Sequence, residues 1–232
     1  MKIAADFSKR EIRHSATMPW VDSPMAGVAR RPLERVGNEV ARATSVVRYA
    51  PGSHFSPHMH AGGEEFVVLE GVFQDEHGDY PTGSYVRNPP QSSHTPGSEA
   101  GCVIFVKLWQ FQPADRTPVT LNIHSLAKPS NADSQNNSVN TLFKDEYEHV
   151  SLITMQPNTT MDISPEGGAE LFMLEGQAQE QQDVLVKHSW LRIPIGYPIS
   201  LKTDGSGAKI WMKTGHIADV EKQIERVNAT IK

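Results

Sequence analysis

The segment SPHMHAGGEEFVVLEG, residues 56–71, sets His58 and His60 one residue apart and places Glu64 shortly beyond them. In extended chain, side chains two apart leave from the same face, so both imidazoles point toward one place. Glu64 has the same parity, but the intervening AGG lets the chain turn, and local geometry decides where its carboxylate lies. A third imidazole, His94, has to arrive from another strand, and GSYVRNPPQSSH (83–94) supplies one. Neutral imidazoles with one carboxylate suit first-row divalent transition metals, with Zn(II) or Fe(II) foremost and Mn(II), Ni(II) or Co(II) as alternatives. They suit Ca and Mg poorly, because those ions prefer all-oxygen shells. A bare His-X-His pair is more often part of a polar hairpin on the surface; the wider pattern around this pair is what gives it weight.

The elements that must position these residues read as strands. Of the 232 residues, 38% are hydrophobic while Gly and Pro total 33, a balance suited to short strands and many turns. Apolar or alternating runs recur between turn signals: TSVVRYA, EEFVVLEGVF, GSYVRNPP and CVIFVKLWQF, then HVSLITM, AELFMLEG, SWLRIPI and AKIWMKT. The polar stretch SLAKPSNADSQNNSV (125–139) reads as an exposed connection, and it divides the chain into 1–120 and 121–232. Near the end, Val220, Ile224 and Val227 fall at helical spacing, which predicts one short amphipathic C-terminal helix.

Net charge is −5 and the basic residues are scattered, which argues against direct nucleic-acid binding. MKIAADFSKREIRH lacks a signal-peptide core and no run approaches the ~18 apolar residues of a membrane span, so the expectation is a cytoplasmic protein with no membrane partner. Cys102, the one cysteine, sits in the apolar run CVIFV and reads as buried and inert.

The two halves repeat. A shift of 105 aligns Glu65, Leu69, Glu70, Gly71, Gln74, Ser84, Arg87 and Pro89 with Glu170, Leu174, Glu175, Gly176, Gln179, Ser189, Arg192 and Pro194 without a gap; farther out, a shift of 106 pairs IFVK with IWMK. A tandem duplication of one β fold accounts for this. Under the same shifts Glu64 becomes Ala169, His94 becomes Ile199, and the histidine pair falls in ISPEGG, so the second half is expected to bind no metal. Packing, dimerisation or an apolar ligand is left as its task. Arg87 and its neighbours recur where the ligands do not, which assigns them to turns and a barrel ion pair. His188 aligns with Gly83 and reads as a surface residue; His216 shows no ligand-like neighbours.

From Gly52 through His58, His60 and Glu64 to Gly71, the spacing resembles the first cupin motif, and Gly83, Pro89 and His94 resemble the second. Gln91 stands where that motif usually has glycine, and Ser98 where an asparagine is common. The resemblance implies an all-β fold of two tandem cupin (double-stranded β-helix, or jelly-roll) barrels with the short C-terminal helix. It also implies one divalent metal held by His58, His60, Glu64 and His94. The elements GEEF-VLEG, GDYP-GSYVRNPP and S-H look more specifically like the C-terminal cupin of ChrR-type anti-sigma factors, over about residues 16–112. Those factors grip a sigma factor through a separate helical zinc domain carrying a His-X3-Cys-X2-Cys motif, which one cysteine cannot provide. The resemblance implies a ChrR-like sensor or regulatory module without the sigma-binding zinc domain; a sigma factor is its protein partner by family resemblance only, with the sigma-binding activity either missing or supplied by some other protein. The alternative is a non-heme Fe(II) cupin dioxygenase acting on a small dicarbonyl or hydroxyketone in the first barrel. Four protein ligands fill a tetrahedral Zn(II) but leave up to two positions on an octahedral Fe(II). Cupins often dimerise, and free strand edges make a homodimer the expected assembly.

Overall fold

The computed structural model describes residues 1–127 and 133–230, so residues 128–132 of the polar connection lie outside the described residues. Antiparallel strands dominate, followed by a 3-10 turn, His216–Asp219, and one α-helix, Val220–Thr230. No helix is long and apolar enough to cross a membrane. The chain forms two compact units. Among the described residues the first contains 1–5, 19–125 and 221–230, and the second contains 6–18, 126–127 and 133–220. Relative to a cut near residue 120, the units exchange termini: strand Glu11–His14 pairs within the second unit, and all but the first residue of the helix belongs to the first.

In the first unit the main path of strands runs Lys2–Ile3, Val28–Gly37, Ala41–Tyr49, Cys102–Leu108, Glu64–Asp75, Ser84–Asn88 and Val119–Asn122. Phe66, Val68, Phe73, Val86, Ile104 and Val106 pack into one apolar cluster; the even-numbered residues of EEFVVLEG on its strand contribute Phe66 and Val68. Cys102 is buried at the edge of this cluster, and burial pushes its thiol up to about 11, which makes it a poor nucleophile. The helix is fixed in the same unit by Gln223, whose side-chain oxygen accepts a 2.7 Å hydrogen bond from buried Arg42, itself paired with Glu34.

The second unit repeats this plan. Its main path runs Ser138–Lys144, His149–Met155, Ile199–Thr214, Ala169–Glu180, Ser189–Ile193 and Glu11–His14. Strands Ala169–Glu180, Asp183–Val186 and Ser189–Ile193 lie 105 residues beyond Glu64–Asp75, Gly78–Pro81 and Ser84–Asn88, end for end. The duplication extends to backbone detail. Gly71 (φ 73°) and Gly176 (φ 70°) both take the left-handed conformation, and a Cβ on either would lie 2.1 or 2.0 Å from the carbonyl oxygen of Gly101 or Gly207. Gly71→Ala and Gly176→Ala are each expected to cost about 1–3 kcal/mol from backbone strain alone, with the clash in addition. Denaturant unfolding reads this; an unchanged midpoint would contradict it.

A buried polar layer is repeated as well. Tyr85 donates a 2.5 Å hydrogen bond to Glu65, with Arg87 4.0 Å from the same carboxylate and 3.1 Å from Asp115. At the repeated positions, Trp190 donates to Glu170 at 3.0 Å and Arg192 lies 5.7 Å from the Trp190 ring. Lys107 is opposite Glu65 across the sheet as Lys213 is opposite Glu170. His216 is buried and within 3.0 Å of Glu170, so it belongs to this layer rather than standing without a role. His188 corrects the surface reading: it is half-buried, stacks on Phe172 at 5.7 Å, and has φ 66° where its counterpart Gly83 has 87°.

Candidate metal centre

His58 and His94 meet through strand pairing. His58–Met59 and Ser93–His94 form a two-stranded antiparallel ribbon in which His58 stands directly opposite His94. His60 follows one residue later. Its carbonyl accepts hydrogen bonds from the amides of Gly63 (3.4 Å) and Gln91 (3.0 Å), which tie the turn to the facing loop. The AGG turn then seats beneath two aromatic rings: a Cβ on Gly62 would lie 2.2 Å from Trp109, and one on Gly63 2.4 Å from Phe111. That turn, unresolved by parity alone, delivers Glu64 to the start of its long strand. Gln91, where the motif usually has glycine, takes the left-handed conformation glycine favours, at φ 75°, so the loop keeps its shape at the cost of local strain.

The three imidazoles converge. Their candidate ligand atoms all lie within 4.8 Å of one another, and the ring centroids are 4.6–5.0 Å apart. His60 and His94 are buried while His58 faces solvent. Glu64 Oε2 lies 3.5 Å from His60 Nε2 and 3.7 Å from His94 Nε2, and it accepts a 3.3 Å hydrogen bond from Asn88. The Nε2 atoms of His60 and His94 are buried without a hydrogen-bond partner. Two orphaned nitrogens beside a third imidazole fit a divalent cation, because a metal–nitrogen bond would supply what hydrogen bonding does not.

The opposite ring nitrogens of His94 and His58 are held. His94 Nδ1 is 3.2 Å from Asp75 Oδ2, and His58 Nδ1 is 3.2 Å from the Ser56 carbonyl oxygen. Donation from Nδ1–H in both cases leaves each Nε2 as the lone-pair nitrogen, the tautomer a metal requires. Asp75 is itself fixed by the His77 amide (2.8 Å) and the Tyr80 hydroxyl (3.2 Å). Burial works to lower the His94 pKa, but the hydrogen bond to Asp75 and the nearby carboxylates raise it above the ordinary value; burial dominates at His60, which is lowered. Asp75 was not legible as a site residue, since QDEHGDYP reads as a turn. His77 in that segment is exposed, and His54 pairs with Glu99 at 2.9 Å on the surface.

A cavity of 360 Å³ opens directly against His58, His60 and Glu64, with Val47, Tyr49, Phe55 and Trp109 among its walls. That volume accommodates a small organic molecule. Trp20 is not part of it; its ring lies 4.0 Å from the Arg31 guanidinium and 4.5 Å from that of Arg48. In the second unit the positions equivalent to Glu64 and His94, Ala169 and Ile199, are buried in a continuous apolar cluster with Leu171, Met173 and Leu191.

Residues 8–112 match the family model described as the ChrR cupin-like domain. No curated protein matches the chain. Among solved structures, a candidate dioxygenase of Nostoc punctiforme superposes with a TM-score of 0.69 at 14% identity, covering 91% of this chain and 84% of that one. YlbA of Escherichia coli gives 0.67 at 12%, covering 91% and 93%; the pirin YhhW of E. coli, in complex with nickel(II), gives 0.63 at 12%, covering 89% and 98%. Identities this low speak for the fold. Residues 8–112 are thus a cupin domain of the ChrR-like family, and the chain as a whole has the fold of a bicupin.

Proposed function

We propose that the first barrel holds one divalent transition metal through His58, His60, Glu64 and His94, and that a small oxygenated molecule binds beside it in the adjoining cavity. The observation that carries this is the opening of a ligand-sized cavity onto the converging imidazoles. A purely structural ion would be closed off by protein. The metal would act as a Lewis acid and, as Fe(II), would add redox chemistry. The protein's own contribution is to fix the His58 and His94 imidazoles by strand pairing and ring hydrogen bonds and the His60 backbone by hydrogen bonds to the facing loop, to hold Glu64 through Asn88, and to shelter a bound molecule behind Tyr49, Phe55 and Trp109. On this reading the chain is a non-heme Fe(II) cupin dioxygenase acting on a dicarbonyl or hydroxyketone.

The second reading, a ChrR-like sensor or regulatory module working with a protein partner such as a sigma factor, is supported by the family match over residues 8–112. Metal identity separates the two. After anaerobic reconstitution with Fe(II), the first reading expects oxygen uptake that depends on an added 1,3-dicarbonyl or hydroxyketone and disappears in His60→Ala. Stable Zn(II) from native expression, with no turnover after Fe(II) exchange, would sink it in favour of the sensor.

A further inference from the structure

The cavity beside the histidines carries charges that metal binding does not use. Resting on the metal reading above, we infer that this cavity selects a small organic anion, a carboxylate, through Arg30 and Arg35. Both arginines belong to strand Val28–Gly37 and are an odd number of residues apart, which on a regular strand would send them to opposite faces. The register shifts between Pro32 and Glu34: Pro32 is opposite Ser45 and Glu34 opposite Thr44. This bulge takes up one residue and restores the parity. Arg30 therefore lies opposite Val47 and Arg35 opposite Ala43, and all four residues line the cavity. Bulges that re-aim side chains recur beside binding sites. Arg31, the next residue after Arg30, goes instead to Trp20.

Neither arginine has a carboxylate within ion-pair distance among the described residues. Arg35 donates to the backbone carbonyls of Asn38 and, at 3.4 Å, Glu39. Burial first, and then the like charge of Arg30, hold the Arg35 guanidinium below its ordinary pKa, so the two cations face each other without neutralisation. The other charged groups lining the cavity are Glu64 by the histidines and Glu39, which is exposed at the rim. Two arginines against two carboxylates leave the walls neutral, and a divalent ion then makes the loaded cavity doubly positive. Apolar walls strengthen that field by lowering the local dielectric. Tyr49, also on the cavity wall, offers a neutral hydroxyl donor to an anion's oxygen. A carboxylate bridging the metal and a guanidinium fork fits these charges better than a neutral ketone.

The test is calorimetric titration of the full chain loaded with Ni(II), which as a six-coordinate ion keeps positions open beyond four protein ligands, with pyruvate and with its neutral analogue methyl pyruvate. Pyruvate is expected to bind at least about tenfold more tightly, and Arg30→Gln and Arg35→Gln each to weaken pyruvate about tenfold while nickel content is unchanged. Arg30→Lys should recover part of the loss, which a folding defect would not allow. Equal binding of acid and ester, no binding of pyruvate, or indifference of both glutamine variants overturns the inference while leaving the metal reading intact. Failure of the wild type to take up nickel overturns both.

Discussion

His94→Ala is expected to abolish stable metal binding. Elemental analysis of the natively expressed protein should find about one transition-metal ion per chain, and the variant should fall to near zero. The substitution removes one of three nitrogen donors and strips Asp75 of its 3.2 Å partner, so a buried carboxylate is left facing the site without its imidazole. Asp75→Asn separates these effects. It keeps every ligand but loses the negative charge behind His94, and metal affinity is expected to fall about 10–100-fold. His188→Ala, on Phe172 in the second unit, should leave occupancy unchanged. Circular dichroism of each variant distinguishes lost ligation from lost fold. Full metal retention in folded His94→Ala would sink the assignment of the site.

In the second unit the largest expected effect is on stability. Trp190 is fully buried, and its indole N–H donates to Glu170 at 3.0 Å. Trp190→Ala would remove the largest side chain at that position and one donor to a buried carboxylate, at an expected cost of about 3–5 kcal/mol. Chemical denaturation checks this, with the two units allowed to unfold in separate phases. A loss below about 1 kcal/mol would mean that the repeated polar layer contributes little to that unit.

The strand pattern was legible because each sheet buries a face at period two, and because duplication wrote the same strand twice at a fixed offset. The pairing of His58 with His94 was legible in part: parity aimed His58 and His60 together, and the need for a third donor pointed to residues 83–94. What parity could not supply was geometry set by turns and bulges. Glu64 depends on two glycines under Trp109 and Phe111, and Arg30 with Arg35 on a register shift invisible to alternation. Asp75 was hidden for another reason, since a turn composition describes a backbone and says nothing of the imidazole that its side chain meets. His216 was hidden by distance, because its partner Glu170 lies 46 residues earlier in the chain.

The exchanged termini bear on the order in which the protein can be made. The histidine-bearing sequence of the first barrel leaves the ribosome well before residues 221–230, yet that unit includes them. Strand Glu11–His14 waits for Ser189–Ile193, which follows the main stretch of the first unit, before it can pair. Folding of each unit during synthesis therefore stays incomplete until segments beyond the main stretch of the other have emerged, although domains generally fold as units from the N-terminal end. A nascent chain stalled midway would present the histidines on a barrel whose Arg42 still lacks Gln223.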